Sequence, residues 1–282
     1  MSVLSVSGLS KSYPSFSLKN VSFELQEGAI TGFIGRNGAG KTTTLKSLLN
    51  FVHPDKGEIQ FFGQSFQEHE FEIKQKIGFV SGGISFYPKK KLRTITSVTK
   101  RFYPQWDEAA YKEYLKRFEL DEDKVPDSLS AGMKVKYSLA LALSHRAKLL
   151  LLDEPTSGLD PVSRDDLLDV FLDLAEENGV TILFSTHITS DLEKCAEEIL
   201  YLRRGEIIGR GKLKEFQNQF VLCNFSKEQM EEPLKPYLAG YKREKEGFSA
   251  LFYKDHLPEG NFDYYPADLE SIMIHLEKGE LA

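Results

Sequence analysis

A run of nine residues near the start of the chain combines three glycines with one lysine and two threonines: Gly35-Arg36-Asn37-Gly38-Ala39-Gly40-Lys41-Thr42-Thr43. Glycines let the backbone curl with its N–H groups pointing inward, and the missing side chains let phosphate oxygens approach those donors. The lysine would bring positive charge to the β- and γ-phosphates, and the threonine after it would offer Mg²⁺ a hydroxyl ligand. The spacing meets every fixed position of the pattern G-x-x-x-x-G-K-[ST], so the run is predicted to bind a nucleotide.

The sequence on both sides predicts the elements that such a loop needs. Residues 29–34 indicate a buried strand, and apolar residues after the loop repeat at the spacing of one helix face, at Leu45, Leu48, Leu49 and Val52. The helix N-terminus would then add partial positive charge under the phosphates. A glycine-rich turn without a ligand is the alternative, and the agreement of the fixed residues with both flanks disfavours it.

Two adjacent carboxylates follow the most apolar short segment of the chain, in the order Leu149-Leu150-Leu151-Leu152-Asp153-Glu154. An all-apolar run of this length is typical of a buried parallel strand. Asp153 is then placed to hold Mg²⁺, and Glu154 to polarise an attacking water. The alternative is that these carboxylates only bind Thr156 or cap the next helix.

Composition limits the classes of protein to consider. The chain has 282 residues, 41% of them hydrophobic and 28% charged, as in globular proteins. Its formal net charge of −6 gives no support to nucleic-acid binding. Cys195 and Cys223 form no C-x-x-C pair, so neither a zinc site nor a disulfide framework is expected. We also expect no signal peptide and no membrane span, and therefore a cytoplasmic protein.

The rest of the pattern predicts an α/β fold. Alternating residues up to about 28 predict short antiparallel strands, and the segment of about 84–147 is helical in character, with Asp107 as an N-cap and a helix running to Ala147. Strands and helices then alternate through residue 185, which predicts a mainly parallel core sheet with its chemistry at the strands' carboxyl ends.

Residues of about 212–282 differ in character and predict a small α+β accessory domain. Strands are expected near 220–225 and 248–253. Ser226 and Gln229 suggest a capping box that starts a helix to about Leu238, and Asp268 a cap for a final amphipathic helix near 268–279.

Three further motifs follow in a fixed order: Leu129-Ser130-Ala131-Gly132-Met133, Ser157-Gly158-Leu159-Asp160 and Ser185-Thr186-His187. Together with the P-loop and Asp153-Glu154, they resemble ATP-binding cassette (ABC) ATPases over about residues 2–211. The resemblance implies a nucleotide-binding domain at 1–211 with a helical subdomain at about 84–147, followed by the accessory domain at 212–282. Ala131 and Met133 depart from the signature motif at its less demanding positions.

The resemblance also implies how the residues work. Two such domains would close head to tail over two molecules of ATP with Mg²⁺, and hydrolysis would reopen them. Each site would join Lys41, Thr42, Asp153, Glu154 and His187 of one subunit to Ser130 and Gly132 of the other. Lys41, Glu154 and His187 would be catalytic, and Thr42 and Asp153 would bind the metal. The remaining nucleotide contacts would come from Tyr13, Gly35, Asn37, Gly38, Ala39, Gly40, Thr43 and Asp160.

Two positions leave alternatives open. Tyr13 is where the family stacks an aromatic ring on adenine, but Phe16 is close in sequence and Tyr13 could simply pack on the first sheet. After Ile77-Gly78-Phe79-Val80 the family expects a glutamine, and this chain has Ser81-Gly82-Gly83. Gly82 offers no side-chain ligand, so either Ser81 or a water replaces the glutamine, or communication through this loop is altered.

The family resemblance favours the ATPase subunit of a membrane transporter, similar to bacterial exporters of drugs, antibiotics or peptides. Its partners would be an integral-membrane subunit and a second ABC subunit, identical or different, on the inner face of the cell membrane. The cluster Lys89-Lys90-Lys91-Leu92-Arg93 with Lys100-Arg101 would meet acidic loops of that subunit or anionic lipids, or else be a solvated face. The alternatives are an ABC ATPase acting on the ribosome or DNA, and a regulatory cassette.

Overall fold

The computed structural model describes residues 2–82, 87–226, 232–260 and 262–278. The chain divides into two compact units, Met1–Gly209 and Arg210–Ala282, close to the predicted boundary at 211/212. Gly83, Gln229 and residues 84–86 of the predicted helical segment lie outside the described residues.

The first unit mixes two sheets with helices. Its strands are β1 (Ser2–Tyr13), β2 (Phe16–Gln26), β3 (Ile30–Ile34), β4 (Lys56–Phe61), β5 (Gln64–Ser65), β6 (Ile77–Ser81), β7 (Leu149–Asp153), β8 (Thr181–Thr186), β9 (Glu198–Arg203) and β10 (Glu206–Lys212), the last of which crosses the boundary between the units. Its helices are α1 (Lys41–Leu48), α2 (Glu70–Lys74), α3 (Leu92–Thr99), α4 (Glu108–Arg117), α5 (Ala131–Ser144), α6 (Pro161–Glu176) and α7 (Thr189–Cys195).

The N-terminal sheet has the strand order β2-β1-β4-β5 and is antiparallel, as predicted. The prediction of short strands is wrong, because β1 and β2 are long and joined by one tight turn. Alternate residues such as Leu4, Val6 and Leu9 are buried on one face, and register shifts let the paired strands twist without losing that face.

The core sheet has the order β10-β9-β3-β8-β7-β6, and the pairs formed by β3, β6, β7, β8 and β9 among themselves are parallel. Every residue of β3, β7 and β8 is buried, which explains the continuous apolar run of β7 and the lack of apolar–polar alternation in the other two strands. The P-loop, Asp153-Glu154 and His187 follow the carboxyl ends of these three adjacent strands, so the fold brings them to one edge of the sheet.

Helices α3 to α5 occupy the predicted helical segment. Asp107 caps α4, since its Oδ1 accepts hydrogen bonds from the backbone N–H groups of Ala109 and Ala110 at 3.1 and 3.0 Å. Helix α5 ends at Ser144, before the predicted Ala147. Arg146 has the left-handed φ of 63°, which a continuing helix does not allow.

The second unit is a small α+β domain, as predicted. It contains α8 (Leu213–Gln217), β11 (Phe220–Ser226), β12 (Leu238–Arg243), β13 (Gly247–Tyr253), β14 (Tyr265–Pro266) and α9 (Leu269–Lys278), with the strand order β12-β13-β11-β14. Asp268 caps α9 by accepting the N–H of Ser271 at 2.7 Å. The predicted helix to Leu238 is wrong: a 3₁₀ segment, Glu232–Tyr237, contains Pro236, whose missing N–H disfavours an α-helix, and Leu238 begins β12.

Candidate active site

The P-loop leaves β3 and ends at Gly40, the N-cap of α1. Gly40 has a φ of 115°, and a Cβ built on it would lie 2.6 Å from Phe16 Cζ, so neither the backbone angle nor the space admits a side chain. Gly38 has a φ of 84° with open space around it, so only its backbone angle requires glycine. Asn37 and Gly38 are exposed at the loop, Ala39 is buried, and Thr43 is half-buried.

Lys41 lies across this loop. Its side chain is buried, and its Nζ donates a hydrogen bond to the carbonyl oxygen of Gly35 at 2.6 Å. The same Nζ lies 3.2 Å from Glu154 Oε1, in an ion pair with a carboxylate from the neighbouring segment. Positive charge is therefore fixed between the glycine loop and the two adjacent carboxylates.

Asp153 receives hydroxyl groups from two other segments. Thr42 Oγ1 donates to Asp153 Oδ1 at 3.0 Å, and Ser185 Oγ donates to the same oxygen at 2.8 Å. Ser81 Oγ lies at the limit of hydrogen bonding, 3.5 Å from Asp153 Oδ2. Carboxylate and hydroxyl oxygens are the hard ligands that Mg²⁺ takes in proteins, so this donor set fits the expected metal.

Ser185 is a site residue to which the sequence assigned no role. In the parallel register Asp153 lies opposite Ser185 on β8 and opposite Ser81 on β6, so the three side chains meet at the same level of the sheet. A polar residue at the end of each adjacent buried strand was the available signal. Strand order, which decides whether those ends are neighbours, is not written in the local sequence.

Glu154 and His187 form a direct pair: His187 Nδ1 lies 2.8 Å from Glu154 Oε2. The backbone N–H of Glu154 donates to Ser185 Oγ at 3.0 Å, which fixes the start of the turn. Glu154 also has a φ of 49°, an unusual backbone conformation for a residue with a side chain. With the imidazole 41% exposed, the pair faces solvent beside the buried Lys41.

Ser130, Gly132 and Asp160 lie at the starts of two other helices. Ser130 Oγ accepts the N–H of Met133 at 3.2 Å and caps α5, while Gly132 packs near Leu159. Asp160 caps α6, and the hydrogen bonds from the side chain and backbone of Ser163 lower the pKa of its carboxyl. Each of these polar groups bonds within its own helix start rather than to the P-loop.

Tyr13 ends β1, where it packs against another ring and is partly exposed. Its ring stacks on Phe16 with ring centroids 6.5 Å apart, yet 40% of the residue stays exposed. Because Phe16 lies directly against Gly40, the two rings form a short aromatic surface that begins at the P-loop. An exposed ring there can stack on a base.

Comparisons with known proteins agree with this geometry. The sequence profile of the family described as ABC transporter matches residues 18–157. The chain is 34% identical over 204 residues to the ABC transporter ATP-binding protein YtrB of Bacillus subtilis, covering 72% of this chain and 70% of that protein. It is 33% identical over 209 residues to the bacitracin transport ATP-binding protein BcrA of Bacillus licheniformis, covering 73% and 68%.

Among solved structures, an ATP-binding cassette described as a dimer in a post-hydrolysis state with bound ADP and phosphate is similar with a TM-score of 0.66 and 26% identity. The match covers 74% of this chain and 98% of that chain, and it confirms the predicted fold class. In the part of the chain that the structure describes, no helix is long and apolar enough to span a membrane.

Proposed function

Because the chain belongs to the family of ABC transporter ATP-binding proteins and is an ATPase, we propose that it powers a membrane exporter of drugs, antibiotics or peptides. The observation that carries the catalytic part is one connected network: Lys41, Glu154 and His187 in series, with Thr42 and Asp153 beside them. The export of antibiotics is supported by the resemblance to a protein named for bacitracin transport.

The proposed roles follow from position and chemistry. The P-loop N–H groups and Lys41 bind the phosphates of ATP, with Tyr13 under the adenine. Thr42 Oγ1 and Asp153 hold Mg²⁺, which neutralises phosphate charge when bound. Glu154 accepts a proton from the attacking water. His187, which bonds to the Glu154 oxygen that does not face Lys41, stabilises charge on the γ-phosphate.

Ser130, Gly132 and Asp160 act on the site of a second copy or a related subunit in this proposal. Their helix starts carry partial positive charge and polar groups that their own P-loop does not use. The similarity to a cassette described as a dimer supports a head-to-tail pair in which ATP joins the two subunits. Hydrolysis then releases the pair and moves the membrane subunit.

The contact surface for an integral-membrane subunit is proposed around α2. Phe51, Phe71 and Phe102 are each at least 60% exposed, and α2 links them, since Lys74 Nζ lies 5.5 Å from the Phe51 ring centroid and Gln75 Nε2 donates to Phe102 O at 3.1 Å. Clustered exposed aromatics are typical of protein interfaces. The subunit would hold this chain on the inner face of the membrane.

The basic cluster contributes less to that surface than the sequence indicated. Asp123 pairs with both Lys91 and Arg93, at 2.9 and 3.0 Å, and Lys100 pairs with Glu108 at 3.2 Å. These two carboxylates offset part of the charge of the six cations in the cluster. Aromatic contacts are proposed to direct docking, and the remaining positive charge of the cluster adds a secondary attraction.

The catalytic part is tested with Glu154→Gln, which keeps the size and the hydrogen-bonding capacity of the side chain. If Glu154 is the general base, turnover falls about 10²–10⁴-fold while ATP binding persists. Glu113→Gln, on the exposed face of α4, is the matched control and keeps normal turnover. A near-normal rate in the Glu154 variant would refute this role.

The transporter part is tested by gentle detergent extraction of the tagged chain from its native cells. We expect a multi-span subunit to co-purify and to stimulate turnover, and Phe102→Glu to weaken this association while Ile208→Glu, at an exposed site on β10, does not. Recovery with ribosomes or DNA-bound proteins instead would contradict the transporter reading. Cells that lack the chain should accumulate the drugs that cells with the chain export, and the Glu154→Gln variant should not restore efflux.

A further inference from the structure

Asp191 is a buried carboxylate that none of the motifs uses. It lies on α7, in the turn after His187, and only 1% of it is exposed. Its Oδ2 accepts a hydrogen bond of 2.6 Å from Thr156 Oγ1, and Thr156 is fully buried. Thr186 Oγ1 accepts the N–H of Ile188 at 3.0 Å, and its hydroxyl also lies near enough to the Asp191 carboxylate to lower the pKa of that group.

These two threonines belong to the segments that carry the catalytic pair. Thr156 comes shortly after Glu154, and Thr186 directly precedes His187. The two segments follow different strands, β7 and β8. One carboxylate therefore bonds to the turn of Glu154 and lies beside the residue that precedes His187, at the base of the Glu154–His187 contact.

A third segment reaches the same carboxylate. Arg164, in the first turns of the helix that Asp160 caps, has its Nε 3.9 Å from Asp191 Oδ1. Within the described residues neither atom has a hydrogen-bond partner. A small shift of α6 toward α7 would close this gap into a charged hydrogen bond.

Helix α7 gives Asp191 a rigid support. Leu192 packs on β3 so closely that a Cβ at Gly32 would lie 1.9 Å from Leu192 Cδ2. Gly32 therefore lets the helix sit directly on the central strand. Asp191, the residue before Leu192, is thereby held against the core, where it bonds to Thr156.

Burial of the Asp191 carboxylate lowers the stability of the folded state, because the charged group loses its hydration. Loss of hydration raises the pKa of Asp191, and the hydrogen bonds from the two threonines and the charge of Arg164 oppose that rise. A well-packed apolar residue would stabilise a helix at this position at least as well. Packing alone therefore does not account for a carboxylate here.

We infer that Asp191 is a positioning residue that holds the turns of Glu154 and His187 in register with each other and with the helix of Asp160. The inference rests on the proposed function, because it gives Asp191 a role only in the geometry of hydrolysis. In this role Asp191 acts on the site through Thr156, Thr186 and Arg164. A displaced Glu154 would retain ATP but lose the alignment of the attacking water.

The test measures ATP affinity and turnover separately in the purified chain with both of its units. Thr156→Val keeps the shape of the side chain and deletes the hydroxyl, and Thr156→Ser restores it. We expect Thr156→Val and Asp191→Leu each to lower kcat about 10- to 100-fold with ATP affinity nearly unchanged, and Thr156→Ser to recover most of kcat. The double variant should be no slower than the slower single variant.

Thr96→Val is the matched control, because Thr96 is also buried and its hydroxyl contacts two partners, Tyr111 and Tyr137, each at 2.8 Å. It should lower the melting temperature as much as Thr156→Val and leave kcat unchanged. If Asp191→Leu does not fold, the Thr156 pair and Arg164→Met give the same comparison.

Unchanged kcat in Thr156→Val, or loss that Thr156→Ser does not recover, would overturn the inference while leaving the proposed function intact. Equal loss of kcat in Thr96→Val would show a general effect of stability and would also overturn it. Normal turnover in Glu154→Gln would instead contradict the proposed function, and the role of Asp191 with it.

Discussion

Two sets of polar groups in this chain are built differently. At the carboxyl ends of β3, β7 and β8, the groups bond to one another across segments, from Lys41 to Glu154 to His187. At the starts of α5 and α6, the bonds that Ser130 and Asp160 make among the described residues are to the first turns of their own helices. The first set is connected across segments of one chain, and the second set, within the described residues, makes no hydrogen bond to the P-loop.

That difference suggests where each set acts. A network that is fixed internally can bind and orient a nucleotide by itself, because its geometry depends on the buried sheet. Helix starts that are capped but otherwise uncommitted can bind phosphate brought by another molecule. Changes in the first set should therefore affect a single chain, and changes in the second only a pair.

The largest expected effect is on nucleotide binding by a single chain. Lys41→Ala removes the buried positive charge and its bond to Gly35 O, which should weaken ATP binding by roughly 10- to 100-fold, as expected for one charged hydrogen bond. Fluorescent-nucleotide titration at concentrations too low for pairing measures it. Lys46→Ala, a change at an exposed position of the same helix, is the control. Equal ATP affinities in the two variants would contradict the assignment of Lys41 to the set that binds ATP within one chain.

A change in the second set should leave that binding intact. Ser130→Arg places a bulky cation at the start of α5 and should abolish ATP-dependent pairing, while a single chain binds ATP as before. Gel filtration of the chain with and without ATP, in the Glu154→Gln background, reports the pairing. Thr94→Arg adds the same charge at an exposed site on α3 and should still pair. Loss of ATP binding by isolated Ser130→Arg chains would place Ser130 in the first set.

The loop after β6 tests whether the first set extends to Ser81. We expect Ser81→Ala to raise the Mg²⁺ concentration for half-maximal turnover several-fold, roughly 1 kcal/mol for one lost oxygen contact. Gly82→Gln supplies the family's side chain but has to adopt the left-handed φ of 59°, so Gly82→Ala, with the same strain and no amide, is its control. If all three variants show the same Mg²⁺ dependence as the unsubstituted chain, this loop has no role in binding the metal.

The smallest effect concerns stability at the far end of α5. His145 is buried, stacks on Tyr103 with ring centroids 3.8 Å apart, and donates a hydrogen bond from Nδ1 to Gln75 O at 3.1 Å. Burial lowers the pKa of His145 to about 4, so the unfolded chain binds its proton first as the pH falls from 6.5. The free energy of unfolding should therefore decrease by roughly 2–3 kcal/mol between pH 7 and pH 4 through this residue.

His145→Phe keeps a stacked ring that does not titrate, so urea unfolding of this variant should show a weaker decrease over the same pH range. The difference between the two proteins in the pH dependence of the free energy of unfolding separates the contribution of His145 from that of the carboxylates. Parallel pH profiles would contradict the role of its burial.

The first set was largely predictable from sequence, and the reasons are local. The P-loop spacing and the all-apolar β7 that ends in Asp153-Glu154 each fit within one element and its turn. His187 required the family pattern, because a single histidine after a strand has many uses. Asp107 and Asp268 were predictable as caps for the same local reason.

What was missed depends on distant pairing. Ser185 joins Asp153 only because β7 and β8 are neighbours in register, and Asp191 reaches Thr156 only because Gly32 lets α7 lie on β3. The capping pattern at Ser226 and Gln229 favoured a helix to Leu238, whereas Glu232–Tyr237 is a 3₁₀ segment that contains Pro236. Local preference was correct where one element decides and wrong where a later residue interrupts it.

The most direct test of a site shared by two chains mixes two inactive variants, Lys41→Ala and Ser130→Arg. In a head-to-tail pair of one copy each, one site contains both changes and the other contains neither. Turnover should therefore reappear on mixing. As the control, a chain that carries both changes is mixed with either single variant, and turnover should stay absent because no site then contains both Lys41 and Ser130. No recovery in the mixture, although both variants fold and the chains pair, would contradict a site that takes Lys41 from one chain and Ser130 from the other.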